Sequence, residues 1–185
     1  MAERRKVIVT ENISANGVIE FVDRWFDPGD TDDRDLLAVA AGHMETEDTL
    51  LLGRETFEDF RGYWPLQTND VTGSTAHLNR VHKYVFSSTM DDPGWENTTV
   101  RDGPVEDEVR ALRDLPGGDI GVTGSISVVH ALMRADLVDE YRLFVYPVLA
   151  GRGRYLVPEG LSMSKLKLVE SQAFRSGVVL LNYSR

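Results

Sequence analysis

Three short stretches put small, hydroxylated or basic residues directly after apolar runs. They are Gly53-Arg54-Glu55-Thr56 after LLL, Ser87-Ser88-Thr89 after KYVF, and Thr123-Gly124-Ser125 after DIGV. A helix opening at such a place presents N–H groups without intrahelical partners and the positive end of its dipole. Together these hold a phosphate with no special side chain. Gly53 and Gly124 would let an anion come close to the backbone. Arg54 sits where a cation opposes the helix dipole, yet a guanidinium there can grip phosphate through two N–H groups at once. Each piece also has a plainer reading: Ser and Thr are good N-caps, Gly is a turn residue, and Arg54 is a solvated charge. Three convergent sites point to a dinucleotide crevice.

For a proton donor the first candidate is Asp33, spaced with Leu37, Ala40 and Met44 along one helix strip. Burial would raise its pKa and suit it to give a proton. The same residue also reads as part of an acidic first turn that favours the dipole. Asp35 is the second candidate. Other chemistries lack their residues. Without cysteine there is no thiolate metal site, no Cys nucleophile and no Pro-Cys-x-x-Cys of a zinc deaminase. The four histidines show no His-Glu-x-x-His spacing, no metal site is read, and no Gly-x-Ser-x-Gly elbow occurs. GRGRYL at 151–156 lacks a third glycine and reads as a turn into a closing strand.

The elements that must position these residues alternate strand and helix. Residues 6–13 read as a strand and 14–17 as a turn, followed by a helix over 31–44 with Asp30 or Thr31 as N-cap. A strand at 50–52, a helix at 54–60, a loop at 61–73 and a short helix near 74–81 come next. KYVFSS and 95–100 read as strands, 104–115 as a helix, DIGV as a strand, and 124–137 as a helix with apolar residues at helical spacing. A long strand, VDEYRLFVYPVL, and two closing strands at 165–174 and 178–183 end the chain. This order predicts a mostly parallel, helix-covered sheet with an antiparallel edge, whose ligands collect at the carboxyl ends of the strands.

The length of 185 residues fits one domain. A formal charge of −10 argues against nucleic acid, and no apolar run is long enough to span a membrane. The basic N-terminus leads straight into a strand rather than an h-region, so a cytoplasmic location is expected. The matches to Asn-x-Ser/Thr at Asn12, Asn97 and Asn182 then carry no meaning. Residues 1–60 hold 6 Lys/Arg against 15 Asp/Glu, which reads first as an acidic solvated face and, more sharply, as surroundings in which the few arginines, Arg54 among them, are placed for local reasons.

LLLGRETFEDF, LNRVHKYVFSST and GVTGSISVVHALMRADLVDEYRLFVYPVLAGRGRYL resemble the dihydrofolate reductase-like superfamily. The branch is the one similar to the C-terminal reductase domain of bifunctional riboflavin-biosynthesis deaminase/reductases. The resemblance implies a three-layer α/β fold over residues 1–185: a central, mostly parallel eight-stranded sheet flanked by helices, with antiparallel C-terminal strands. It also implies an NADPH site. Gly53, Arg54 and Thr56 would lie at the cofactor phosphates, and Ser87 and Ser88 near the adenosine ribose and its 2′-phosphate. Thr123, Gly124, Ser125, Ile126 and Ser127 would cradle the pyrophosphate, with Asn12 and Ile19 against the nicotinamide. The sequence departs from the family at Thr123, where a second Gly is common, at Asn16, where an Asp is usual, and at Val157, where a Phe is common. It also lacks a clear folate-site carboxylate.

The expected activity is hydride transfer from NADPH to a small heterocycle or carbonyl. It resembles that of 5-amino-6-(5-phosphoribosylamino)uracil reductase or dihydrofolate reductase. The alternative is a non-catalytic dinucleotide- or partner-binding protein on the same scaffold. A homodimer is expected, because YRLFVYPVL, Trp64 and Trp95 offer more apolar surface than a sheet edge comfortably exposes.

Overall fold

The computed structural model describes residues 4–27 and 32–185. Its centre is one eight-stranded sheet in the order β4-β3-β2-β5-β1-β6-β8-β7. The strands are β1 (Val7–Ser14), β2 (Glu47–Gly53), β3 (His82–Phe86), β4 (Thr98–Arg101), β5 (Asp119–Val122), β6 (Glu140–Tyr146), β7 (Lys167–Ala173) and β8 (Val179–Ser184). Pairings from β4 across to β6 are parallel, whereas β6–β8 and β8–β7 are antiparallel. The fold is therefore the expected one: mostly parallel, with an antiparallel C-terminal edge.

Among the described residues five helices cover the sheet: α1 (Arg34–Glu45), α2 (Arg54–Tyr63), α3 (Ser74–Arg80), α4 (Val105–Arg113) and α5 (Ile126–Arg134). Alternation along the strands decides which side chain meets which layer. Val7, Val9, Leu51 and Val122 pack with α4 and α5 through Val109, Leu112, Val129 and Leu132. On the other face Leu50 and Leu52 meet Phe57 of α2 and Leu78 of α3, while Phe144 meets Leu36 of α1. The leucine run at 50–52 is continuous because β2 is covered on both faces.

The differences from the sequence reading have local causes. The first helix begins at Arg34, capped by Asp33, whose side chain accepts from the Leu36 N–H. The proposed caps Asp30 and Thr31 lie outside the described residues. Strand β3 stops at Phe86, so Ser87 and Ser88 follow it rather than belong to it. In the loop at 61–73, Trp64–Leu66 form a 3₁₀ turn. The apolar groups from which pairing was expected are largely covered within the chain. Strand β6 is interior, Trp64 is buried, and Trp95 packs on Phe57 and donates to Asn79 at 2.9 Å. Among the described residues no helix is long and apolar enough to cross a membrane.

At the amino ends of the strands the buried Arg5 ties three segments together. Its guanidinium pairs with Asp48 and donates to Thr49 Oγ1 and the Gly118 carbonyl, both at 2.7 Å. The carboxyl ends, where the three hydroxyl-rich stretches lie, are thus the open end of the sheet. Leu51 has no exposed surface and joins β2 to the α4–α5 layer. Leu51→Ala should cost about 2–5 kcal/mol, read as a lower urea midpoint with an unchanged slope. A loss below about 0.5 kcal/mol would contradict the packing described.

Candidate functional site

Two strand-to-helix turns stand side by side at the carboxyl ends of β2 and β5 and are bonded to each other. The Ser125 N–H donates to Thr56 Oγ1 at 2.9 Å, and the Gly53 N–H donates to Ser125 Oγ at 2.9 Å. Thr56 and Ser125, which sequence alone reads as caps, are instead occupied in joining α2 to α5. Ser125 precedes α5 in a left-handed conformation, φ 48°, and makes no side-chain cap. Val128 and Val129 donate to the Ser125 carbonyl. This leaves Ile126 and Ser127 in the first turn, where N–H groups have no partner within the helix.

Gly124, also at positive φ (60°), lets this turn fold tightly onto α2. A Cβ there would stand 3.0 Å from Thr56 Cγ2. Gly53 lies close to the same turn, with Ser127 Oγ 3.5 Å from where its Cβ would be. Arg54 is about half exposed and faces Glu58 one turn on at 3.6 Å, a surface pair that leaves the guanidinium available.

These turns wall a cavity of about 1050 Å³. Of the predicted cofactor residues, it brings together Asn12, Ile19, Gly53, Arg54 and Thr56 with Thr123, Gly124, Ser125, Ile126 and Ser127. Ser87 and Ser88 are not in its lining. Ser87 Oγ closes its own turn by accepting from Thr89 and Met90 at 3.2 and 3.1 Å, and Ser88 is exposed.

The proton-donor reading of Asp33 and Asp35 needs correction, since neither lines the cavity. Asp33 is buried as the α1 cap, and its other oxygen accepts the Ser176 N–H at 2.7 Å. That bond, with further help from Leu36 and Arg175, holds its carboxyl below the usual range. Hydrogen bonds to the ionised form outweigh burial here, so Asp33 does not hold a proton to give. Asp35 is exposed on the first turn. The helix strip itself was read correctly, for Leu37, Ala40 and Met44 all face the cavity.

The rest of the cavity is built from the α1 face of the sheet. Asn12 of β1 is in register with Phe144 of β6, and Ser14 with Tyr146. Asn12, Phe144 and Tyr146 form part of the floor, α1 the roof, and Phe21, Val22 and Phe26 one side. Phe26 meets Tyr146 edge-on with ring centroids 5.5 Å apart. Lower down, Glu47 and His77 face each other at 3.4 Å, both buried. Gly121 makes room for that carboxylate, since a Cβ there would approach it to 2.6 Å.

Residues 5–180 match the family described as RibD C-terminal domain. The chain belongs to the RibD C-terminal domain family. It is 34% identical over 139 residues to the uncharacterized protein YyaP of Bacillus subtilis (strain 168), spanning 74% of this chain and 73% of YyaP. A Shewanella sp. PV-4 structure, provisionally assigned to riboflavin biosynthesis, superposes with a TM-score of 0.71 at 20% identity, over 97% of this chain and 98% of that one. The Thermotoga maritima diaminohydroxyphosphoribosylaminopyrimidine deaminase/5-amino-6-(5-phosphoribosylamino)uracil reductase superposes with a TM-score of 0.67 at 17% identity. That match covers 98% of this chain and 56% of that one. At such identities the structural likeness establishes the dihydrofolate reductase-like fold.

Two residues of this RibD C-terminal domain escaped the sequence reading. Arg101 ends β4 in register with Phe86, beside the Ser87 turn, with its guanidinium near the Tyr84 ring and bonded to Glu108 at 3.0 Å. The signal was a basic residue closing a strand next to Ser87-Ser88. Glu11 is the second. It shares a strand face with Val7, Val9 and Ile13, and it is only 2% exposed beneath the 123–127 turn. It accepts the Gly124 N–H, while its Oε1 has no partner among the described residues. Burial pushes its carboxyl well above the ordinary range. The signal was a carboxylate at an apolar position of a central strand.

The folded state therefore binds a proton at Glu11 that the unfolded chain releases above its ordinary pKa of 4.5. Stability from this group is full below that pH and is lost as pH rises towards the folded value. Glu11→Gln should raise the melting temperature at pH 8 while leaving it nearly unchanged at pH 4. A constant difference across that range would show that Glu11 does not titrate between the two states.

Proposed function

We propose that the protein is an NADPH-dependent reductase that delivers hydride to a small heterocyclic or carbonyl compound. The observation that carries this reading is the pair of cross-bonded helix starts opening on one large cavity, with Arg54 at the rim. The residues fit the cofactor. The N–H groups of Ile126 and Ser127 and the close approach allowed by Gly124 suit the pyrophosphate. Arg54 suits the 2′-phosphate, and Asn12 and Ile19 stand at the other end, near the nicotinamide. When bound, NADPH supplies the hydride, and the protein's part is orientation and electrostatics. Ile19, only 3% exposed, and the α1 strip keep that end apolar and limit water there. Membership of a reductase-like family supports the class of reaction.

Glu55 and Asp59 also line the cavity, so a dinucleotide meets both signs of charge there. An added 2′-phosphate is favoured only where a cation answers it. Arg101 is held by Glu108, whereas Arg54 is only loosely paired. A charge-assisted hydrogen bond is worth roughly 1.5–3 kcal/mol, about one to two orders of magnitude in affinity. Arg54→Ala should thus weaken NADPH binding about 10–100-fold and change NADH binding by less than about twofold, as read by calorimetric titration. Equal losses for both cofactors would place Arg54 at the shared pyrophosphate instead. The second reading, a dinucleotide-binding protein without catalysis, is favoured by one feature: neither Asp33 nor Asp35, the expected proton donors, lines the cavity. NADPH binding without oxidation by any neutral ring or carbonyl acceptor would select it.

A further inference from the structure

Among the described residues the α1 half of the cavity presents no unpaired cation. Its walls come from Phe21, Phe26, Phe144 and Tyr146, with Leu36, Leu37 and Ala40 of α1 above. Among the described residues the lining contains two arginines, and neither stands in this half as an unpaired cation. Arg54 belongs to the α2 turn, and Arg154 is fixed to Glu20 by two bonds of 2.9 and 2.7 Å. His43, on the same α1 strip, is held neutral, its pKa brought down to about 4 by burial and by the nearby Arg142. Arg142 lies outside the lining and is bonded to Glu140 at 2.8 Å.

The helix start nearest this half repels anions. Asp33 caps α1, Asp35 sits in its first turn, and Asp32 draws Arg175 to 3.4 Å. Arg24 is exposed in the 20–27 loop and is not part of the lining. The residues outside the description, at 1–3 and 28–31, include no Lys or Arg. A phosphate or carboxylate placed here would lose its hydration with no unpaired cation among the described residues to replace it. The aromatic faces instead suit a flat ring, through stacking and edge contacts.

We infer that the substrate of this site is a flat, uncharged ring compound that carries no phosphate or carboxylate. The inference rests on the reductase reading of the cavity. It separates this protein from a reductase acting on a phosphoribosyl-bearing pyrimidine, because such a substrate would bring its phosphate to a wall whose arginine, Arg154, is already paired with Glu20.

The test uses 1-naphthol and 1-naphthyl phosphate, which differ only by the phosphate. Each is titrated into the full-length protein with NADPH present, and the shifts of the amide resonances are followed. The same titrations are run on Val22→Arg, a substitution at a 41% exposed cavity-lining position that puts a cation beside the ring site. NADPH alone is titrated into both proteins as a measure of the cofactor reading and of folding. We expect 1-naphthol to bind at least about tenfold tighter than its phosphate, and Val22→Arg to narrow or reverse that ratio. Equal or tighter binding of the phosphate by the unaltered protein would overturn the inference. So would binding of NADPH with neither naphthyl compound. If NADPH fails to bind while the naphthyl pair is still discriminated, the ring-site inference stands and the cofactor reading falls.

Discussion

Ser125 is bonded to both helix starts that could hold an anion, and the geometry of the open end of the sheet depends on it. Its N–H goes to Thr56 and its hydroxyl accepts from Gly53, so α2 and α5 are fixed to each other rather than only to the sheet. The conformation that allows both bonds is left-handed, which costs a residue with a Cβ about 1–2 kcal/mol. Two part-buried hydrogen bonds offset that cost, at about 0.5–1.5 kcal/mol each. Ile126 and Ser127 are left facing the cavity with their N–H groups outside the helix ladder. A conventional Ser cap would have satisfied one of those donors and closed the anion site.

The second constraint is the alternation along β1. One face of the strand carries Val7, Val9 and Ile13 into the layer below α4 and α5, and there the packing is continuous. The opposite face carries Thr10 and Asn12 towards α1, where the cavity opens. Glu11 interrupts the apolar face directly beneath the 123–127 turn, so a buried carboxyl that accepts the Gly124 N–H supports the loop that would carry the phosphates. Register with β6 then places Phe144 and Tyr146 beside Asn12 and Ser14. The polar and the apolar halves of the cavity thus follow from one pleat and one register.

The order of elements was legible because its signals are local. The run LLL followed by Gly marks a strand covered on both faces, and DIGV followed by Thr-Gly-Ser repeats the pattern. The turns at Gly53 and Thr123 were found for the same reason. What escaped depends on which atoms a fold brings together. Thr56 and Ser125 read as caps, but their hydroxyls cross between two helices 69 residues apart in sequence. Asp33 lies on the correct strip, yet the Ser176 N–H, from a turn near the other end of the chain, keeps it ionised. Asn16 shows the same limit. Its amide clamps both the N–H and the carbonyl of Ala150, at 2.9 and 2.8 Å, a pairing that a carboxylate could make only in half.

The central claim is that the paired turns at 53–56 and 123–127 hold the dinucleotide phosphates through backbone N–H groups. The most direct measurement is a two-dimensional amide spectrum of labelled protein during titration with NADPH. The Ile126 and Ser127 N–H resonances should move furthest and downfield, as hydrogen bonds to phosphate form, with Gly53, Arg54 and Gly124 next. If those amides stay fixed while shifts gather elsewhere, or if no resonance moves at millimolar cofactor, the site described here is not a dinucleotide site.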